Sequence, residues 1–205
     1  MKNKIKIAKD IIKAIKGHKY EYLFKLAVVY GVSKYELLNL KWSDIDFDKN
    51  LISFSPVKYI KDNNYNYQWL KESKLEYKRT YPLIDNIKEI LECKYLKNKE
   101  SEYVCVNSSG KKITANTIGR NLKQILSQNS LPIILYEKLR YILDDLIFAK
   151  ALTPNHFQAW KRFDILVRKQ NIYNKLNLNL NKKLLRELNK FLTNENYVFK
   201  EEIEM

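Results

Sequence analysis

Cysteine and histidine are scarce in this chain of 205 residues, which contains two of each. Cys93 and Cys105 lie outside any CxxC spacing, and only His18 and His156 are available beside them. Such a set supports neither a disulfide framework nor a zinc site. We therefore expect the protein to hold no metal and no cofactor.

Long apolar runs are also missing. No stretch approaches the roughly 18 consecutive apolar residues that a membrane-spanning helix requires. The first sixteen residues carry a lysine every few positions and never form the unbroken apolar core of a secretory signal. The sequence predicts an intracellular, cytoplasmic protein with no membrane association, whose length suits one sizeable domain with short appendages.

Acidic residues are the minority charge: 23 Asp and Glu stand against 38 Lys and Arg, for a net charge of +15. The excess lies at both flanks, with ten lysines in residues 1–41 and nine basic residues in 161–192. Such a balance favours a polyanionic partner, nucleic acid before an anionic membrane surface. A generally lysine-rich chain whose lysines only solvate helix faces is the simpler alternative.

Apolar periodicity predicts helices in the first part of the chain. Residues 3–16 have helical spacing and end before Gly17, and a second helix should run over 21–30. Ser33 and Glu36 have the S-x-x-E spacing of a capping box that opens a short third helix.

The sequence predicts strands in the middle of the chain and helices in the remainder. Residues 51–54 alternate like a strand, and the aromatic-rich segment 57–83 predicts a small antiparallel sheet or hairpin. A short strand is expected at 103–106. Helical spacing then dominates from Thr114, and the last amphipathic helix is predicted at 181–192.

Three local stretches carry a resemblance to a known family. Residues 30–46 are similar to the pattern T-G-L-R-x-x-E-L-x-x-L-x-W-x-D-I-D, residues 74–83 to K-T-x-x-x-R-x-x-P-L, and residues 112–118 to the lead-in of the helix before an H-x-x-R box. The first stretch matches at Gly31, Glu36, Leu37, Leu40, Trp42, Asp44, Ile45 and Asp46. Over about residues 18–175, the chain resembles the catalytic domain of the tyrosine recombinases, or phage integrases.

The resemblance implies a mainly α fold with a small antiparallel β-sheet. Residues 1–175 would form the catalytic-domain-like unit, without the N-terminal DNA-clamping domain that family members usually carry. Residues 176–205 would form a linker, the amphipathic helix and an acidic tail.

It also implies a chemistry. In that family a tyrosine hydroxyl attacks a DNA phosphodiester, two arginines neutralise the growing phosphoryl charge, and a lysine protonates the leaving oxygen. Lys74 matches this lysine, Arg140 matches the second arginine, and Tyr173 falls near the nucleophile's place. The family's later G-H pair is missing, and Arg162 is the nearest candidate to replace it. Each has a plainer alternative as a hairpin charge, a solvated arginine or a packing tyrosine.

Two departures from the pattern concern activity. Ser33 stands where the family has its first arginine, and Glu137 stands where it has the histidine of H-x-x-R. The neighbouring Lys34 is one position off and is expected to point elsewhere. Losing an arginine that clamps a phosphoryl transition state typically costs about 10³ to 10⁵ in rate.

The resulting prediction is a double-stranded DNA-binding protein on an integrase scaffold with a degenerate active site, encoded by a mobile element or virus. Two alternatives stay open: an active recombinase that cleaves through Tyr173, and an interaction protein that regulates another recombinase. The candidate DNA contacts are Lys25, Lys41, Lys74, Arg79, Arg120, Lys123, Arg140, Lys161 and Arg162.

The C-terminal helix leaves a second question open. In the family this helix often packs onto a neighbouring protomer, so helix 181–192 is a candidate for homo-oligomer formation. The alternative is a helix that folds back on the core of its own chain.

Overall fold

The computed structural model describes residues 2–55, 58–61, 67–70, 78–143 and 182–193. The helices are α1 (Lys2–Ile15), α2 (Glu21–Tyr30), α3 (Lys34–Leu38), α4 (Asp85–Lys97), α5 (Ala115–Gln128), α6 (Tyr136–Leu139) and α7 (Lys182–Thr193). The strands are β1 (Ile45–Asp46), β2 (Leu51–Phe54), β3 (Lys58–Lys61), β4 (Tyr67–Leu70) and β5 (Arg79–Pro82), with a 3-10 turn at Trp42–Asp44.

The strands form a small antiparallel sheet and a separate hairpin. The sheet has the order β1-β2-β5, with Ile52 opposite Tyr81, and β3 pairs with β4. Ile52, Phe54 and Tyr81 are buried, so one face of the sheet lies against the helices. This arrangement confirms the predicted mainly α fold with a small antiparallel sheet.

Helix α2 lies at the centre of the core. Every residue from Tyr22 to Tyr30 is buried, which matches the almost continuous apolar sequence of this segment. The Tyr30 hydroxyl donates to the Pro82 carbonyl at 3.0 Å and accepts from the Ile84 N–H at 3.2 Å. Since a buried hydroxyl needs such partners, these bonds fix α2 against the end of β5.

The predicted strand at 103–106 is wrong. Only isolated bridges form there, between Lys41 and Tyr103 and between Val106 and Lys112. The Val104 N–H donates to the Leu40 carbonyl at 3.0 Å, but the partner segment then enters the 3-10 turn at Trp42. A ladder cannot continue beside backbone that has left the extended conformation.

Helix α7 packs on its own chain. Leu188 and Phe191 are fully buried, and α7 contacts α1 and α4. The ammonium of Lys9 donates to the Phe191 carbonyl at 2.6 Å, which satisfies an acceptor in the last turn of the helix. The structure therefore has the fold-back arrangement, in which Leu188, Phe191 and Leu192 of the apolar face are buried in the same chain, and homo-oligomer formation through this helix stays a prediction.

The remaining sequence predictions about this half of the chain fall partly outside the described residues. The linker before α7 and the acidic tail lie there, as does much of the helical region predicted from Thr114 onward, so the division between 1–175 and 176–205 stays a prediction. In the described part of the chain, no helix combines the length and apolarity needed to cross a bilayer.

Replacing Phe191 by alanine tests the position of α7. Because the ring is fully buried, F191A should lower the free energy of unfolding by about 3 to 5 kcal/mol in urea titrations. The exposed Leu96, which retains 65% of its accessible surface, provides the control L96A. Equal destabilisation by the two variants would contradict the fold-back position of α7.

Candidate functional site

The site is built around the loop Gly31–Ser33 between α2 and α3. Gly31 adopts φ of 64°, a left-handed conformation that glycine accepts without strain, and so ends α2. Ser33 then caps α3: its hydroxyl accepts from the Glu36 N–H at 3.2 Å, while Glu36 Oε2 accepts from the Ser33 N–H at 2.8 Å. The predicted capping box is confirmed, and it occupies the side chain of Ser33.

Glu36 also binds an arginine from the sheet. Its Oε1 lies 2.5 Å from an Arg79 terminal nitrogen, and the other terminal nitrogen of Arg79 donates to the Tyr81 hydroxyl at 2.8 Å. Both members of the pair are buried, with Arg79 at 5% exposure. Arg79 was predicted to be a surface DNA contact, and this prediction is wrong. A guanidinium removed from water requires a buried anion, which Glu36 supplies.

Helix α6 holds the same loop from the other side. The Tyr136 hydroxyl donates to the Val32 carbonyl at 2.9 Å, and Arg140 Nε donates to the Gly31 carbonyl at 2.9 Å. Arg140 is half-buried, with its guanidinium carbon 5.3 Å from the centre of the Tyr141 ring. Arg140 therefore contacts the loop Gly31–Ser33, whose last residue stands at the position of the family's first arginine.

Glu137 of α6 and Lys34 of α3 form an ion pair beside the loop Gly31–Ser33. The Lys34 ammonium lies 3.0 Å from the Glu137 carboxylate, and the side chains keep 23% and 55% of their exposure. Partial burial opposes ionisation of Glu137, but the Lys34 hydrogen bond and the charges of Lys34 and Arg140 outweigh it and lower its pKa. Lys34 was expected to point elsewhere on α3, and this expectation is wrong.

Lys34 also lines an open cleft of about 600 Å³ beside the amino end of α5. The other lining residues are Thr114, Ala115, Asn116, Gly119, Arg120 and Lys123. Thr114 caps α5 by accepting from the Thr117 N–H at 3.2 Å. Among the described residues, the lining contains three cations and no acidic residue, and the amino end of a helix adds partial positive charge, so the cleft suits an anion.

The other predicted DNA contacts lie in different surroundings. Lys25 is buried, with its ammonium 2.5 Å from Glu21 and 2.6 Å from Asn86, so its prediction as a DNA contact is wrong. Lys41 is half-exposed and pairs with Glu102 at 2.7 Å. Lys25 is not available to DNA because its buried ammonium already has a carboxylate and an amide as partners.

Four predicted site residues lie outside the described residues: Lys74, Lys161, Arg162 and Tyr173. The described part of the chain therefore brings together Ser33, Glu137 and Arg140, and adds Lys34. The sequence did not identify Lys34 as a site residue. Its neighbour Ser33 aligns with the family's first arginine, and only the fold shows that α5 and α6 bring further charged residues to Lys34.

Comparisons with known proteins agree with this geometry. The sequence model of the Phage integrase family matches residues 5–142. A tyrosine recombinase XerC-like protein of Caldanaerobacter subterraneus subsp. tengcongensis is 26% identical over 165 residues, which cover 70% of this chain and 42% of that protein. The chain thus spans less than half the length of this relative.

Two solved structures share the fold. The XerA recombinase superposes with a TM-score of 0.61 at 16% identity, over 89% of this chain and 61% of XerA. The Tn1549 transposon integrase, solved with a circular intermediate DNA, gives a TM-score of 0.60 at 16% identity, over 74% of this chain and 54% of that integrase.

The buried pair beneath the loop can be tested by E36Q. This variant leaves the Arg79 charge buried without an anion, so the free energy of unfolding should fall by about 3 to 5 kcal/mol in urea titrations. The matched control is E137Q, which breaks a partly exposed pair and should cost less than about 1 kcal/mol. If the two variants were equally stable, Glu36 would not be neutralising a buried cation.

Proposed function

The chain belongs to the phage integrase family, that of the tyrosine recombinases, and from this membership we propose that it binds double-stranded DNA through a degenerate active site. The observation that carries the proposal is the cleft in which Lys34, Arg120 and Lys123 meet the amino end of α5. Phosphates of duplex DNA are anions that this group of cations could neutralise, with Arg120 and Lys123 exposed and Lys34 partly exposed.

The charge of the whole chain supports the same partner. A net charge of +15 attracts a polyanion over distances longer than a single contact, and it raises association rates at low salt. Arg120 and Lys123 are exposed on α5, and Lys41 and Arg140 retain part of their surface. Binding by these groups would depend mainly on phosphates, with a steep salt dependence and modest sequence preference.

Two features of the site argue against efficient strand cleavage. Ser33 stands at the position of the family's first arginine, and its hydroxyl is occupied as the cap of α3. A serine provides neither the permanent charge nor the paired donors that an arginine offers a phosphoryl group. Glu137, at the position of the family's histidine, is a carboxylate that would repel a phosphate.

The known relatives support a role on DNA inside the cell without fixing an activity for this chain. The Tn1549 transposon integrase was solved in complex with DNA, which fits an origin in a mobile element. The chain covers only 42% of the XerC-like relative, so the activity of that whole protein does not carry over to this chain.

Binding to duplex DNA is tested by fluorescence anisotropy over a salt series. We expect wild-type binding at low salt and a steep loss as salt rises. R120Q should reduce the slope of log K against log salt by about 0.9, the share of one phosphate contact. The control K97Q removes an exposed lysine from the last turn of α4 and should leave the slope nearly unchanged. Absence of wild-type binding at low salt would refute the proposal.

An active recombinase is the second candidate, and the placement of Arg140 favours it. Its Nε bond to the Gly31 carbonyl keeps a guanidinium beside the loop where the family performs phosphoryl transfer. In this version Tyr173 is the nucleophile, Lys74 is the general acid, and Arg162 assists with the phosphoryl charge. Each of these three lies outside the described residues.

A nicked suicide duplex separates the two candidates. A degenerate site should give no covalent protein–DNA adduct after prolonged incubation, as judged by denaturing gel electrophoresis. An adduct that disappears in Y173F but persists in Y141F would establish strand cleavage through Tyr173 and overturn the degenerate-site proposal. Tyr141 is the matched control because it is an exposed tyrosine next to Arg140.

A further inference from the structure

Lys34 belongs to two groups at once. It lines the cationic cleft together with Arg120 and Lys123, and its ammonium is paired with the carboxylate of Glu137. Of the ion pairs in the described part of the chain, this is the one whose cation lines the cleft. Glu137 therefore acts on the charge of the cleft although it is not part of its lining.

The ion pair between Lys34 and Glu137 can open at low cost. Both side chains keep part of their exposure, and a partly exposed pair between long side chains is weak. The Lys25–Glu21 pair is different, since its side chains keep only 4% and 14% of their exposure and Lys25 also binds Asn86. An ammonium such as that of Lys34, on a flexible four-carbon stem, can exchange one anion for another with little rearrangement.

Two anions compete for this ammonium when DNA enters the cleft. Glu137 is ionised at neutral pH, because Lys34 and Arg140 both favour its charged form. A phosphodiester that approaches Lys34 meets a carboxylate that already neutralises it. Phosphate and carboxylate repel each other, so the two anions compete for Lys34.

We propose that Glu137 is an internal competitor of the DNA phosphodiester for Lys34, so that phosphate binding by Lys34 itself requires this side chain to leave Glu137. This inference rests on the proposed DNA binding. The competition makes position 137 a determinant of DNA affinity. Glu137, which replaces the family's histidine, lowers the affinity of the cleft for DNA, and Lys34 contributes to binding only after it is released from Glu137.

The decisive variant is E137Q, measured by anisotropy with the same duplex and salt series. One additional phosphate contact with a slope of about 0.9 corresponds to roughly eightfold tighter binding near 0.1 M salt. The slope of log K against log salt should steepen by about the same 0.9. The charge-matched control is E92Q, which opens the Lys88–Glu92 pair on α4, where the side chains keep 27% and 44% of their exposure.

Because α4 contributes no residue to the cleft, E92Q should tighten binding by less than about twofold, the effect of a screened distant charge. The double variant K34Q/E137Q should return close to wild-type affinity, since both members of the pair are then neutral. Equal gains in E137Q and E92Q, or a gain that survives in K34Q/E137Q, would overturn the competition.

Pyrophosphate separates a failure of this inference from a failure of DNA binding. In thermal unfolding, pyrophosphate should raise the Tm of E137Q more than that of the wild type or E92Q, because a ligand of the folded state stabilises it. This difference without duplex binding would uphold the competition and reject the proposed function. Duplex binding by the wild type, with no difference in affinity between E137Q and E92Q, would uphold the proposed DNA binding and reject the competition.

Discussion

The structure depends on one desolvated ion pair, that between Glu36 and Arg79. Glu36 divides its two oxygens between the Arg79 guanidinium and the Ser33 N–H, so the cap of α3 and the sheet share one carboxylate. Arg79 begins β5, the strand that follows the β3–β4 hairpin. Because both charges are buried, neither can be lost alone without leaving the other uncompensated. The pair therefore fixes the sheet relative to the loop Gly31–Ser33.

The loop itself is held almost entirely through backbone atoms. Tyr136 and Arg140 donate to the carbonyls of Val32 and Gly31, and Glu36 accepts from the Ser33 N–H. A backbone-anchored loop keeps its shape when the side chain at position 33 changes, although the chemistry of that position changes completely. Conservation of geometry in this site is therefore compatible with loss of function, because function resides in the groups that the scaffold presents.

Local patterns were sufficient for most of the elements. The apolar periodicity predicted α1 and α2 nearly to the residue and the start of α5, though not its end at Gln128, and the S-x-x-E spacing identified the cap at Ser33. The expected strand at 103–106 failed because a strand needs a partner that stays extended, and the backbone beside it turns at Trp42. Whether the neighbouring segment stays extended depends on tertiary structure, and the alternation of residues within one segment cannot predict it.

The positions of the charges were harder to predict than the elements. Lys25 has a local partner in Glu21, four residues earlier, but its burial depends on Asn86 from a distant helix. Arg79 finds Glu36 across 43 positions of sequence, which no local pattern reveals. The orientation of Lys34 likewise depends on Glu137 in α6. Long-range pairing decides which lysines and arginines remain available at the surface.

Counting basic residues therefore overstates the binding surface of this chain. Lys25 and Arg79 contribute to the net charge but serve as counter-ions inside the core, and Lys41 shares its charge with Glu102. Arg120 and Lys123 have no acidic partner in the described part of the chain, and they lie on the same exposed face of α5. Since the strength of phosphate binding depends on the number of cations that can release counter-ions from DNA, the few side chains of this cleft weigh more than the total charge. Lys34 is the intermediate case, a cation of the cleft that is neutralised until its carboxylate partner is displaced.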